Sequence, residues 1–212
     1  MWTSSSPRKR CKSSRRDSVS AGRIKNAALL RFAAQGYDAT SLAEIAGDVG
    51  IKTPSIYAHF SGKLALFRQL VELACERELD EIRKSLQRPM PIQAAMREYL
   101  YGTIERFQRE PHLRFWLRSI YLPPAQMHEE ISARDREFAV SLETVVSGAL
   151  RHPEFGLRNP ALPHETLAIG FIGTLRSIHA ELLYCSGSDS TKALNAMWTI
   201  FALALAEKPA AA

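Results

Sequence analysis

The chain predicts an all-α fold, with an N-terminal three-helix helix-turn-helix head and a larger C-terminal helical domain. Three observations predict it. Apolar residues recur at helical spacing along most of the 212 residues. Proline and glycine interrupt that pattern where helices would end. No run alternates as a half-buried strand does, and no internal repeat is visible. Hydrophobic residues make up 46% of the chain, enough for a small domain plus a larger one. No stretch approaches the roughly 18 consecutive apolar residues of a membrane span.

The first elements lie between Gly36 and Lys63, which read GYDATSLAEIAGDVGIKTPSIYAHFSGK. A short helix is expected from Ser41 to about Asp48, opened by Thr40 or Ser41 as its cap. The turn runs through Gly50. A second short helix starts near Thr53, with Pro54 at its first position, where a missing N–H costs nothing. Leu42, Ile45, Ala46, Val49, Ile51, Ile56 and Phe60 supply apolar positions that pack the pair. Lys52, Thr53, Ser55, Tyr57 and His59 are left for solvent. These side chains hydrogen-bond, and they suit base edges and phosphates. A helix-turn-helix requires this division between a packed face and a reading face.

Leu64, Phe67, Leu70, Val71, Ala74 and Leu79 then mark a long connecting helix toward Leu86. The run Arg88 to Pro91 stops it. Ile92, Met96, Tyr99, Leu100, Thr103, Ile104 and Phe107 repeat at helical spacing. Pro111 opens a short segment closed by Pro123 and Pro124. A further helix runs from Ala125 to about Leu150. A loop from His152 to Pro163 precedes a helix to Cys185. Gly-Ser-Asp-Ser breaks that helix, and a last one ends near Glu207.

The last two helices are apolar on more than one side. Leu167, Gly170, Phe171, Thr174, Leu175, Ile178 and Leu182 form one stripe; Ile169, Ile172, Gly173, Ala180 and Leu183 form another. A helix apolar on two faces is buried on both. A second copy of the chain is the economical cover for the outer face, and a large monomeric core is the other possibility.

Charge is concentrated at the start. Residues 1–20 hold six basic residues against Asp17, a net +5 of the chain's +6. This Ser-rich stretch lacks apolar periodicity and is expected to form a disordered arm. Such an arm lies along phosphates or enters a minor groove when it precedes a DNA-binding head, or is simply a solvated tail. Cys11, Cys75 and Cys185 are distant and odd in number, as suits a reducing, cytoplasmic compartment. The basic N-terminus lacks the apolar segment of a signal peptide. The six histidines (His59, His112, His128, His152, His164 and His179) show no metal-binding spacing, and no catalytic or phosphate-cradling motif is present. Neither an enzyme, a metal nor a cofactor is expected.

Gly36, Tyr37, Thr40, Ser41, Leu42, Ile45, Ala46, Gly50, Ile51, Ile56, Tyr57, His59, Phe60 and Lys63 together resemble the signature of the TetR/AcrR family of transcriptional regulators. The segment Arg23 to Phe32 looks like that family's first helix. The resemblance covers about residues 23–70. Val49 stands where alanine is usual, and Arg31 where leucine often precedes the phenylalanine. Both are expected to be variations in packing.

The resemblance implies a homodimer that binds a palindromic double-stranded DNA operator, most often as a repressor, near the nucleoid. It divides the chain into an arm (1–20), a helix-turn-helix domain (21–66), an effector-binding and dimerisation domain (67–207) and a tail (208–212). Lys52, Tyr57, His59 and Lys63 are then candidates for phosphate contacts. Thr53 and Ser55 are placed for base edges. Thr40 is a further phosphate candidate, or only a cap. Tyr57 is alternatively a packing residue. In the family the last two helices form a four-helix dimer interface. A small-molecule pocket in the second domain is also implied, with Tyr99, Thr103, Phe107, Trp116, Met127, Ile131, Arg134, Phe138, Arg176 and His179 as candidate contacts. Arg134 occupies an apolar slot that calls for an anionic partner, or snorkels at a core edge. A protein of the same fold that organises DNA without sensing an effector is the alternative.

Overall fold

The computed structural model describes residues 10–152, 162–184 and 187–205. Among them the elements are α1 (Arg10–Gln35), α2 (Leu42–Val49), α3 (Thr53–Tyr57), α4 (Lys63–Leu86), α5 (Ile92–Arg109), α6 (Pro111–Tyr121), α7 (His128–Leu150), α8 (His164–Tyr184) and α9 (Gly187–Leu205), with no strand. A single 3-10 turn, Ala125–Met127, precedes α7. It replaces the first turn of the helix expected from Ala125.

The helix α1 begins well before Arg23. It takes in Arg10 to Ser20, most of the segment expected to be disordered. No proline or glycine interrupts residues 10–20, so a helix nucleated downstream extends through them at little cost. Residues 1–9 of the expected arm lie outside the described residues, as do most of the loop from His152 to Pro163, Cys185 and the expected tail. At the other end, α9 starts at Gly187, inside the expected Gly-Ser-Asp-Ser break.

The chain divides into two compact units, Met1–Glu72 and Leu73–Ala212. The division falls inside α4 and later than residue 66. The first turns of α4 explain this. Phe67 packs edge-on to Phe32 at 5.2 Å and to Tyr37 at 5.1 Å, and Leu66, Leu70 and Val71 are buried. These side chains therefore complete the core of the first unit, together with Ile24, Ala28, Ile45 and Ile56.

In the second unit α8 is central, packing against α5, α6, α7 and α9. Met96, Leu100, Phe115, Trp116, Val146, Phe171, Leu175 and Ile178 are among its buried side chains. Gly170 lets α9 approach. A Cβ there would lie 3.2 Å from the Phe201 ring. Of the two stripes on α8, Leu167, Phe171, Leu175, Ile178 and Leu182 are buried, while Ile169 is 59% exposed. On α9, Ile200 and Leu203 are exposed as well.

Candidate nucleic-acid interface and effector cavity

The short helices of the first unit are held by local chemistry. Ser41, not Thr40, caps α2. Its hydroxyl accepts from the Glu44 N–H, and the Glu44 carboxylate accepts from the Ser41 N–H at 2.7 Å, a reciprocal capping box. Gly50 ends α2 in the left-handed region at φ 72°, a conformation glycine takes without strain. Pro54 sits at the second helical position rather than the first, still among the residues whose N–H has no intrahelical acceptor.

Two of the seven predicted DNA contacts are engaged inside the protein. Thr40 is 2% exposed, and its hydroxyl donates to the Gly36 carbonyl at 2.8 Å. It is neither cap nor accessible phosphate donor. The Lys63 ammonium donates to the carbonyls of Tyr37 (2.9 Å) and Thr40 (2.8 Å), and sits 4.0 Å over the Tyr37 ring. It pins the start of α4 to the corner between α1 and α2. The other five remain toward solvent. Lys52 and Ser55 are exposed, Thr53 and His59 half-buried. Tyr57 is 58% exposed, which rules out packing as its main role. Ile56 between them is fully buried and anchors α3.

Arg31 is not a packing variation. Its guanidinium grips Asp48 through two nitrogens, Nε at 2.5 Å and Nη2 at 2.8 Å, and Nη1 reaches Glu44 at 2.8 Å. This fork ties α1 to α2 on the outside. Hydrogen bonding to Arg31 holds the Asp48 carboxyl below the usual range. Bonds from Ser41, then the Arg31 charge, do the same for Glu44. Arg23 adds a bond from Nη2 to the Val49 carbonyl at 2.9 Å, at the end of α2.

In the second unit, four of the ten predicted effector contacts meet. Trp116, Phe138, Arg176 and His179 line a cavity of about 20 Å3 bounded by α6, α7 and α8. Trp116 and Phe138 pack with ring centroids 4.9 Å apart. Arg176 pairs with both Asp135 oxygens, at 3.1 and 3.0 Å. Tyr121 stands edge-on to His179 at 6.4 Å, and its hydroxyl donates to the Arg176 carbonyl at 3.3 Å. Burial, then the charges of Arg106 and Arg176, pull the His179 pKa down to about 3.

The other six do not line this cavity. Tyr99, Met127 and Ile131 are buried in the core. Thr103 is buried too, its hydroxyl donating back to the Tyr99 carbonyl at 2.8 Å. Phe107 is half-buried. Arg134 runs along the core edge and pairs with Glu137 at 3.0 Å, so it snorkels rather than facing an anion inside.

Sequence periodicity missed two features. Glu78, 4% exposed, accepts from Arg106 at 2.6 Å. Burial pushes the Glu78 carboxyl up even beside that guanidinium. A larger open groove of about 460 Å3 also runs between α4 and α7, with Arg83, Leu86, Gln87, Thr144 and Val145 among its lining. Cys75 is a buried thiol with its pKa pushed up to about 11, first by burial, so it is unreactive. Among the described residues no group of three or more His, Cys, Asp or Glu side chains is placed to hold a metal, and no helix is long and apolar enough to cross a membrane.

Residues 24–70 match the family model described as bacterial regulatory proteins, tetR family. The chain is 33% identical over 100 residues to the HTH-type transcriptional regulator AcrR of Shigella flexneri. That match spans 46% of this chain, and less than half of that relative's length, also 46%. A solved structure of a putative TetR-family transcriptional regulator from Mesorhizobium loti aligns with a TM-score of 0.65 at 20% identity, covering 89% of this chain and 98% of that one. A SmeT–triclosan complex aligns with a TM-score of 0.58 at 19% identity, covering 86% and 91%. These two likenesses extend the shared fold across both units. The signature around α2 and α3 and the family match agree on residues 24–70, which are those of a tetR-family head, and the all-helical fold of the two units is the one these solved structures share.

Proposed function

We propose that the protein is a sequence-specific DNA-binding repressor that acts as a homodimer on a palindromic operator and responds to a small molecule. The single observation that carries the DNA-binding part is the face of α3. Ser55 and Tyr57 stand exposed on a five-residue helix whose Ile56 is fully buried, and Lys52 stands exposed at its N-cap. A rigid support beneath short polar side chains is what reading base edges requires. Lys52, Tyr57 and His59 position the head on phosphates, and Thr53 and Ser55 read bases.

Two further observations support the rest. Ile169, Ile200 and Leu203 leave an apolar face on α8 and α9 open to solvent, which suits a twofold contact with a second copy. A second copy presents a second α3, and two half-sites follow. The cavity beside Trp116, Phe138, Arg176 and His179 supports effector binding, as does the fold shared with a protein solved with triclosan. An effector acts by binding one head spacing better than another.

Selection of sites from random duplex DNA at physiological salt tests this reading. A palindromic motif is expected. Binding without any motif overturns the operator reading in favour of an architectural role. On the selected site, Lys52→Ala should weaken all sequences alike and reduce the salt slope by about one. Ser55→Ala should instead change preference among sites.

A further inference from the structure

We propose that Lys63 is a positioning residue for operator recognition: a clasp inside the head that fixes how α3 is presented, rather than a contact to phosphate. The proposal rests on the reading of α3 as the helix that meets bases.

Helix α3 has little of its own to hold it in place. It is five residues long, no side chain caps it, and Ile56 alone among its residues is buried. Helices so short are not stable by themselves. The orientation of α3 is therefore set by its flanks, α2 before it and the start of α4 after it.

Lys63 joins those two flanks. Its ammonium donates to the carbonyls of Tyr37 and Thr40, 26 and 23 residues earlier, at 2.9 and 2.8 Å. Thr40 immediately precedes the cap of α2, and Lys63 is the first residue of α4. All of α2 and α3 thus lies in the loop from Ser41 to Gly62, and these two bonds close its neck. Closure removes freedom from everything inside the loop.

Both sides of the neck are braced. Gln35 donates to the Ala39 carbonyl at 2.8 Å, and the Tyr37 ring packs against Phe32 and Phe67 at 5.9 and 5.1 Å. Across the neck, buried Leu66 and Phe67 anchor the first turn of α4. Two of the three N–H groups of the ammonium are spent on the carbonyls, and the charge lies 4.0 Å over the Tyr37 ring. A phosphate would have to compete with these partners.

Amide hydrogen exchange of the DNA-free protein tests the clasp. Binding to the selected operator and to a random duplex tests its consequence. In Lys63→Met, exchange across residues 52–60 should quicken about tenfold while residues 24–33 of α1 keep their rates. Operator affinity should fall about tenfold, and random-duplex affinity by less than about twofold, with the salt slope on the operator unchanged. Lys63→Gln, neutral and one atom shorter, should behave alike and takes its place if the methionine variant does not fold. A phosphate contact predicts unchanged exchange, equal losses on both duplexes and a slope lower by about one. That pattern overturns the proposal. Unchanged exchange overturns it whatever binding shows, and faster exchange with an unchanged operator preference overturns the role in recognition. If the unaltered protein prefers no sequence, the reading of α3 fails and the proposal with it. If it does and Lys63→Met keeps that preference, only the proposal fails.

Discussion

Both units carry ion pairs at the surface, but among the described residues only the second also draws ionisable side chains into its interior. In the first, Arg31, Glu44 and Asp48 form a fork on the outside of α1 and α2, over a core that is almost wholly apolar. In the second, Glu78, Arg106 and His179 are drawn into the interior. The difference teaches what each unit is built to tolerate. Surface pairs are screened and cheap to lose. Buried charges are costly to uncouple and sensitive to protonation. The first unit thus keeps its ion pairs where their loss costs little, and the second buries groups whose pairing and protonation bear on its stability.

The sharpest way to break this contrast is Glu78→Ala. It leaves the Arg106 guanidinium, whose side chain is 17% exposed, without its close partner. A loss of about 3–5 kcal/mol from the second unit is expected. Calorimetry should show its transition lowered while that of the first unit stays. A common shift of both transitions would mean that the units unfold as one.

A pH series sharpens it further. The folded His179 pKa lies near 3, below the ordinary value of 6.5. Unfolded chains therefore bind the proton first, so this contribution is complete above about pH 6.5 and is lost as pH falls toward 3. The expected slope is at most about 1.4 kcal/mol per pH unit, and His179→Asn should flatten it. Glu44 and Asp48 are also held below their ordinary values, 4.5 and 3.8, so the first unit should lose stability only below about that range. Urea denaturation between pH 7 and 5 separates the two, and an equal decline in both units would remove the distinction.

The smallest effect is expected from Ser41→Ala. Loss of the cap should cost the first unit about 1 kcal/mol and leave the second unchanged, as read by the same denaturation.

What was legible in the sequence follows from range. Ser41, Gly50 and Pro54 act on neighbours within one turn, so their residue types announce the boundaries of α2 and α3. The apolar stripe on α8 is a property of one helix and is equally readable. Which charges meet is a different matter. Arg31 and Asp48 are 17 residues apart, Glu78 and Arg106 28, Asp135 and Arg176 41. Periodicity assigns each to a face but does not pair faces across helices. The same limit left two readings open for Arg134, whose apolar slot is real and whose side chain, 30% exposed, pairs with Glu137. Thr40 and Lys63 fit the family's signature for a reason internal to the head: their polar groups close the corner before α2. Of the effector candidates, Trp116, Phe138, Arg176 and His179 share one cavity only because α6, α7 and α8 converge there.

The missing methyl at Gly170 sets a manufacturing tolerance for the molecule. With a Cβ 3.2 Å from the Phe201 ring, the ring would have to give way by a few tenths of an ångström. Ile200 and Leu203 ride on the same helix as Phe201 and point outward. A shim one carbon thick, inserted at position 170, would press on that ring, and where the ring cannot turn aside the apolar edge shifts with it. Whatever mates with the edge would have to be re-cut to match, although residue 170 itself need never touch it.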